Sequence, residues 1–234
     1  SDLDELLDVT HQDTQADTLL LGQGIEAFRG RRWSDAAESF RVLLDKEPGG
    51  RYAERASLLL AMSCEHLREA SLSDHFMEIR GAYEDFLSRF PSSPHVPYAL
   101  VALGRLCLRA GAMEEALGYY SLAFSRNKES LCAAEALAGR MKILAIKKQL
   151  DDALDAAQHI LLHYTHSPEA LDARMETARI LHDMSLFKES LAALSGLETG
   201  PSRTVYQRPE IRLYLGYNAF KLRNYSMARE NLLR

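Results

Sequence analysis

The sequence predicts an all-α fold, a right-handed superhelical α-solenoid of about six helical hairpins. Three observations lead there: a repeat of near-constant period, a second register of small residues offset from the first, and a composition able to fill a continuous core. In the repeat, a small residue or its stand-in follows a large apolar one by three places and precedes another apolar or aromatic one by four. The large residue is Trp33, Phe76, Met113, Leu150, Phe187 and Tyr225. The small slot is Ala36, Ile79, Ala116, Ala153, Ser190 and Ala228, and the next apolar slot is Phe40, Tyr83, Tyr120, Ala157, Leu194 and Leu232. The small slots are spaced 43, 37, 37, 37 and 38 residues apart. Helical spacing recurring every ~20–50 residues marks stacked hairpins, because one hairpin alone cannot bury its own apolar face.

The second register lies twelve residues before most of these slots: Gly24, Gly104, Ala178 and Gly216, with Ala61 and Met141 in the remaining units. Small residues there imply close approach of two helices. Each unit then reads as an A helix, a short turn (residues 110–112, 223–224), a B helix and a polar or proline-bearing exit. Leu103-Gly104, Gly111, Ala116, Tyr120 and Ala123 in one unit, and Leu215-Gly216, Tyr225 and Ala228 in another, resemble the tetratricopeptide repeat. The resemblance covers residues 17–234, in units of about 17–50, 51–93, 94–130, 131–167, 168–204 and 205–234, the last incomplete. Residues 1–16 stand apart as an acidic N-terminal arm.

Departures from a 34-residue pattern carry information too. The exits Phe90-Pro91-Ser92-Ser93-Pro94 and Tyr164-Thr165-His166-Ser167-Pro168 lengthen their junctions, and proline bars continuation of the preceding helix. Such junctions resemble those of bacterial cell-envelope repeat proteins, the outer-membrane-assembly lipoproteins and the periplasmic Tol-Pal-associated factors. That resemblance implies a bacterial periplasm or cell-envelope setting, with the cytoplasm as the alternative. In the second unit the A-to-B spacing is 18 residues instead of 12, so residues 69–75 are expected to form an enlarged loop or an extended helix end.

With 234 residues, 47% of them hydrophobic, and seven prolines, the chain can bury a sizeable core, and no apolar run is long enough to span a membrane. Ser1 opens the sequence without a signal peptide, which leaves the compartment unread. Asp2, Asp4, Glu5, Asp8, Asp13 and Asp17 precede the first base, Arg29. Without them 28 bases face 27 acids, so no general attraction for nucleic acid is expected. Leu3, Leu6, Leu7 and Val9 make the arm a candidate docking segment for a groove of this chain or of a second copy. Because the array stops at Arg234 inside a B helix, the last hairpin's apolar face is expected to be covered by further chain or by another copy, as in a homodimer.

Signatures of chemistry are weak. His159 and His163 form an i,i+4 pair with His166 nearby, yet no Glu or Cys joins them, so no metal is expected. There is no phosphate-binding, dinucleotide-binding or nucleophile-elbow motif, and no CxxC. Glu114-Glu115, Asp151-Asp152 and Asp35 open B helices, where carboxylates favour the positive helix end. Cys64 and Cys107 share a core slot of successive A helices, too far apart for a bridge, and Cys132 is left over. The chain thus reads as a non-enzyme without cofactor.

Function is expected on the concave A-helix face, where tetratricopeptide proteins commonly hold a partner peptide or helix. The position after each small A slot reads Ile25, Met62, Arg105, Lys142, Arg179 and Tyr217. The position four before it reads Leu21, Leu58, Val101, Ala138, Met175 and Leu213. One reading is an apolar-floored, basic-centred groove for an acidic amphipathic peptide. The other is that the apolar residues pack between helices while the bases pair with acids such as Glu135, Asp172 and Glu210. The Leu21, Ile25 and Leu58 positions lack the polar residues of carboxylate-clamp repeats, which disfavours chaperone tails. The role expected is a protein-interaction scaffold; an RNA-binding helical-repeat protein, or the non-catalytic part of a larger enzyme, is the alternative.

Overall fold

The computed structural model describes residues 16–68, 72–129, 131–195 and 209–233. Residues 1–15 of the acidic arm and residues 69–71 lie outside them, as does the junction 196–208. Among the described residues there are twelve helices and no strand. The protein divides into two compact units, Ser1–Arg126 and Asn127–Arg234.

In the first unit the A/B pairs are α1 (Ala16–Arg29) with α2 (Trp33–Lys46), α3 (Ala53–Leu67) with α4 (Leu72–Arg89), and α5 (Val96–Arg109) with α6 (Met113–Arg126). The second holds α7 (Leu131–Ile146) with α8 (Leu150–His163), α9 (Glu169–Asp183) with α10 (Phe187–Ser195), and α11 (Pro209–Lys221) with α12 (Tyr225–Leu232). Trp33, Met113, Leu150, Phe187 and Tyr225 are each the first residue of their B helix. Phe76 is not: α4 starts at Leu72, so the longer second unit is taken up at least partly by an extended helix end.

Every small B slot is buried, Ile79 included. The A register explains why glycine recurs. A Cβ on Gly24 would stand 2.5 Å from the Phe40 ring, one on Gly104 2.7 Å from Tyr120, and one on Gly216 2.5 Å from Leu232. Those distances are impossible without movement, so each glycine lets its A helix rest on the large residue of its B helix.

The turns share a second device. Arg31, Gly111, Lys148, Ser185 and Arg223 all have φ between 57° and 81°, and each lies two residues before its B helix. In every case the next N–H donates five residues back, for example Arg32 to Ala27 O at 2.8 Å and Asn224 to Ala219 O at 2.8 Å. This is the Schellman closure, which satisfies terminal carbonyls and reverses the chain. Cys64 and Cys107 are buried free thiols, and burial pushes both above the usual thiol range.

Candidate functional site

The A-helix positions singled out by sequence separate once burial is known. Leu21, Ile25, Leu58, Met62 and Val101 are buried in the first unit. They pack between helices and present little surface to a partner. In the second unit Met175 is half-buried against the core of Ala178, Leu194, Ile211 and Leu215, while Leu213 (43%) and Tyr217 (47%) are exposed.

All three bases are engaged. Arg105 lies 3.2 Å from Glu65, whose side chain is only 11% exposed. Glu65 also accepts a 2.6 Å hydrogen bond from the buried Tyr83 hydroxyl, which is held well above the usual tyrosine range, first by burial and then by the Glu65 charge. Lys142 reaches Asp172 at 3.4 Å across open surface. Arg179 pairs with Glu176 and, at 3.3 Å, with Asp183. Pairing with acids is therefore what the structure has, although of the three acids expected only Asp172 is among these partners.

His159 and His163 bring their ring centroids within 4.5 Å. Burial first, then His163, Lys128 and Arg140, push His159 below its ordinary value. Among the described residues no group of three or more His, Cys, Asp or Glu is placed to hold a metal ion.

The polar cluster that sequence reasoning missed joins α9, α10 and α11. The Ser190 hydroxyl donates to Ala178 O at 2.6 Å, linking the small slots of helices A and B. Asn218 is fully buried and donates from Nδ2 to Ser190 Oγ at 2.7 Å, and its Oδ1 lies 2.7 Å from His182 Nδ1. The His182 ring meets Phe187 at 5.4 Å, Tyr214 at 5.4 Å and Tyr217 at 6.4 Å. A signal was available. Asn218 occupies the slot two past the small A position, which Leu106, Ile143 and Ile180 fill in the three units before it.

Comparison with known proteins bears on this arrangement. Residues 79–128 match the tetratricopeptide repeat family model. A tetratricopeptide repeat protein from Parabacteroides merdae superposes with a TM-score of 0.67 at 18% identity, over 92% of this chain and 77% of that one. The chain has the tetratricopeptide-repeat fold. Pseudomonas aeruginosa pilF aligns over 100% of this chain and 91% of its own, with a TM-score of 0.68 and 15% identity. PilW, a type IV pilus biogenesis factor, aligns over 94% and 91%, with a TM-score of 0.62 and 18% identity. Comparison with curated proteins finds no match by sequence. In tetratricopeptide terms, His182 sits on one A helix and Tyr214 and Tyr217 on the next, so the cluster belongs to the A-helix face of Asn127–Arg234.

Proposed function

We propose that the protein is a non-enzymatic interaction scaffold that holds a peptide or helix of a partner protein on its A-helix face. The observation that carries this reading is the exposed pair Leu213 and Tyr217 on α11, adjoining His182 and Tyr214. Tyrosine offers large, rigid contact area at low entropic cost, and such residues dominate recognition surfaces. An acidic partner would have to displace carboxylates from Arg105, Lys142 and Arg179, since each base already has one. An apolar anchor at Leu213 and Tyr217 meets no such competition. PilW, a type IV pilus biogenesis factor of like fold, supports a bacterial envelope setting for this scaffold. No described helix is long and apolar enough to cross a membrane.

A photo-crosslinking residue placed at Tyr217, and as a control at the still more exposed Met77 of the first unit, tests the proposal in the native host. A discrete partner band from position 217 alone is the expected result. Equal labelling from both positions, or none, would overturn it.

A further inference from the structure

We propose that the surface where His182, Tyr214 and Tyr217 meet receives a cationic side chain, arginine or lysine, of the bound segment; this rests on the scaffold reading above.

The hydrogen-bond chain sets the chemistry. Ser190 has one hydroxyl hydrogen and spends it on Ala178 O, so its oxygen is free only to accept, and it accepts from Asn218 Nδ2. The Asn218 amide is thereby oriented, and its Oδ1 faces His182 Nδ1. Two acceptors cannot share a 2.7 Å contact, so Nδ1 carries the proton. In neutral His182, Nε2 is then a bare acceptor, and it has no hydrogen-bond partner among the described residues. The half-buried ring thus offers its partner a lone pair.

Its surroundings favour positive charge. Tyr214 and Tyr217 contribute aromatic faces, which attract ammonium and guanidinium groups. On α9, Asp183 and Glu176 outnumber Arg179, the guanidinium that both of them hold. The whole of α9 carries four acids, Glu169, Asp172, Glu176 and Asp183, against Arg174 and Arg179. His182 lies in its last turn, at the negative end of the helix dipole. The neighbouring elements contribute fewer charges. Lys188 and Glu189 follow Phe187 on α10, and Lys221 of α11 sets its ammonium 6.0 Å from the Phe187 ring centroid. The cluster therefore already associates with one cation of its own chain. A carboxylate entering here would face Asp183 and Glu176, and would find at neutral His182 a second acceptor.

The test uses the full chain and small probes followed by NMR. N-acetyl-argininamide and N-acetyl-lysinamide are compared with N-acetyl-citrullinamide, which keeps the shape of arginine without the charge, and with N-acetyl-glutamate amide. Saturable millimolar shifts of His182, Tyr214 and Tyr217 are expected with the two cations alone. Tyr217→Ala, at an exposed position, should weaken them about tenfold. His182→Phe, which keeps the ring and removes the acceptor, should act in the same direction. Equal response to citrulline, preference for the glutamate probe, or insensitivity to Tyr217→Ala would overturn the inference. Crosslinking at position 217 that still captures a partner would then show that the docking face stands without the charge preference.

Discussion

Arg105 owes its importance to Glu65, a carboxylate with little water around it. Arg105→Glu would set two acids against each other at a nearly buried site and strand Tyr83 between them. A loss of about 2–3 kcal/mol is expected, with Lys142→Glu costing under ~1 kcal/mol because its pair with Asp172 is screened by solvent. Urea denaturation of the two variants measures the contrast, and equal losses would contradict it. His159 supplies a pH dependence of known sign. Its native proton affinity is depressed, so below the ordinary value of 6.5 the unfolded chain binds the proton more readily than the folded one. Its stabilising contribution is complete above that pH and disappears as pH falls through the lower native value. His159→Gln should flatten this limb of the stability profile between pH 7 and 5, read from melting temperatures.

In four of the hairpins, a glycine or alanine on the A helix and a left-handed turn residue do separate work. Gly104→Ala drives a methyl group to 2.7 Å from the Tyr120 ring, and overpacking of this kind costs about 1–3 kcal/mol. Gly111→Ala meets no atom within 4 Å, yet its φ of 81° strains any Cβ, at about 1 kcal/mol. The double variant separates the two causes. Their costs should add within about 0.5 kcal/mol, since one is helix packing and the other turn conformation. The turn also works in reverse: Lys148, with φ of 61°, is a place where glycine relieves strain. Lys148→Gly should leave stability unchanged or raise it, whereas glycine inside a helix lowers it.

For the molecule as a whole, the division into two compact units at Arg126 and Asn127 predicts that residues 1–126 fold alone. The fragment should show helical circular dichroism and one cooperative thermal transition. A fragment that is unfolded or melts without cooperativity would show that the first unit depends on the second. Tyr217 of α11 meets His182 of the preceding A helix, and Arg105 of α5 meets Glu65 of α3. In both, the residue one past the small A slot faces the residue four past it in the repeat before. The same stacking relation builds a partly buried ion pair in one unit and an aromatic cluster in the other.

Local repetition made much of this legible from the chain itself. The 3.6-residue period, the first residues of five B helices and the glycines facing Phe40, Tyr120 and Leu232 all follow from spacings within one hairpin, because steric fit there is settled by residues a few turns apart. The A-helix face did not yield in the same way. Leu21 and Leu213 occupy equivalent slots, yet one is buried and the other exposed, and Arg105 and Lys142 also differ in the burial of their partners. Those differences arise from which repeat stacks against which, and burial and charge compensation are properties of that stacked neighbourhood. The repeat pattern alone determines the hairpins; only the tertiary structure decides which of their like-numbered residues meet solvent, a partner or one another.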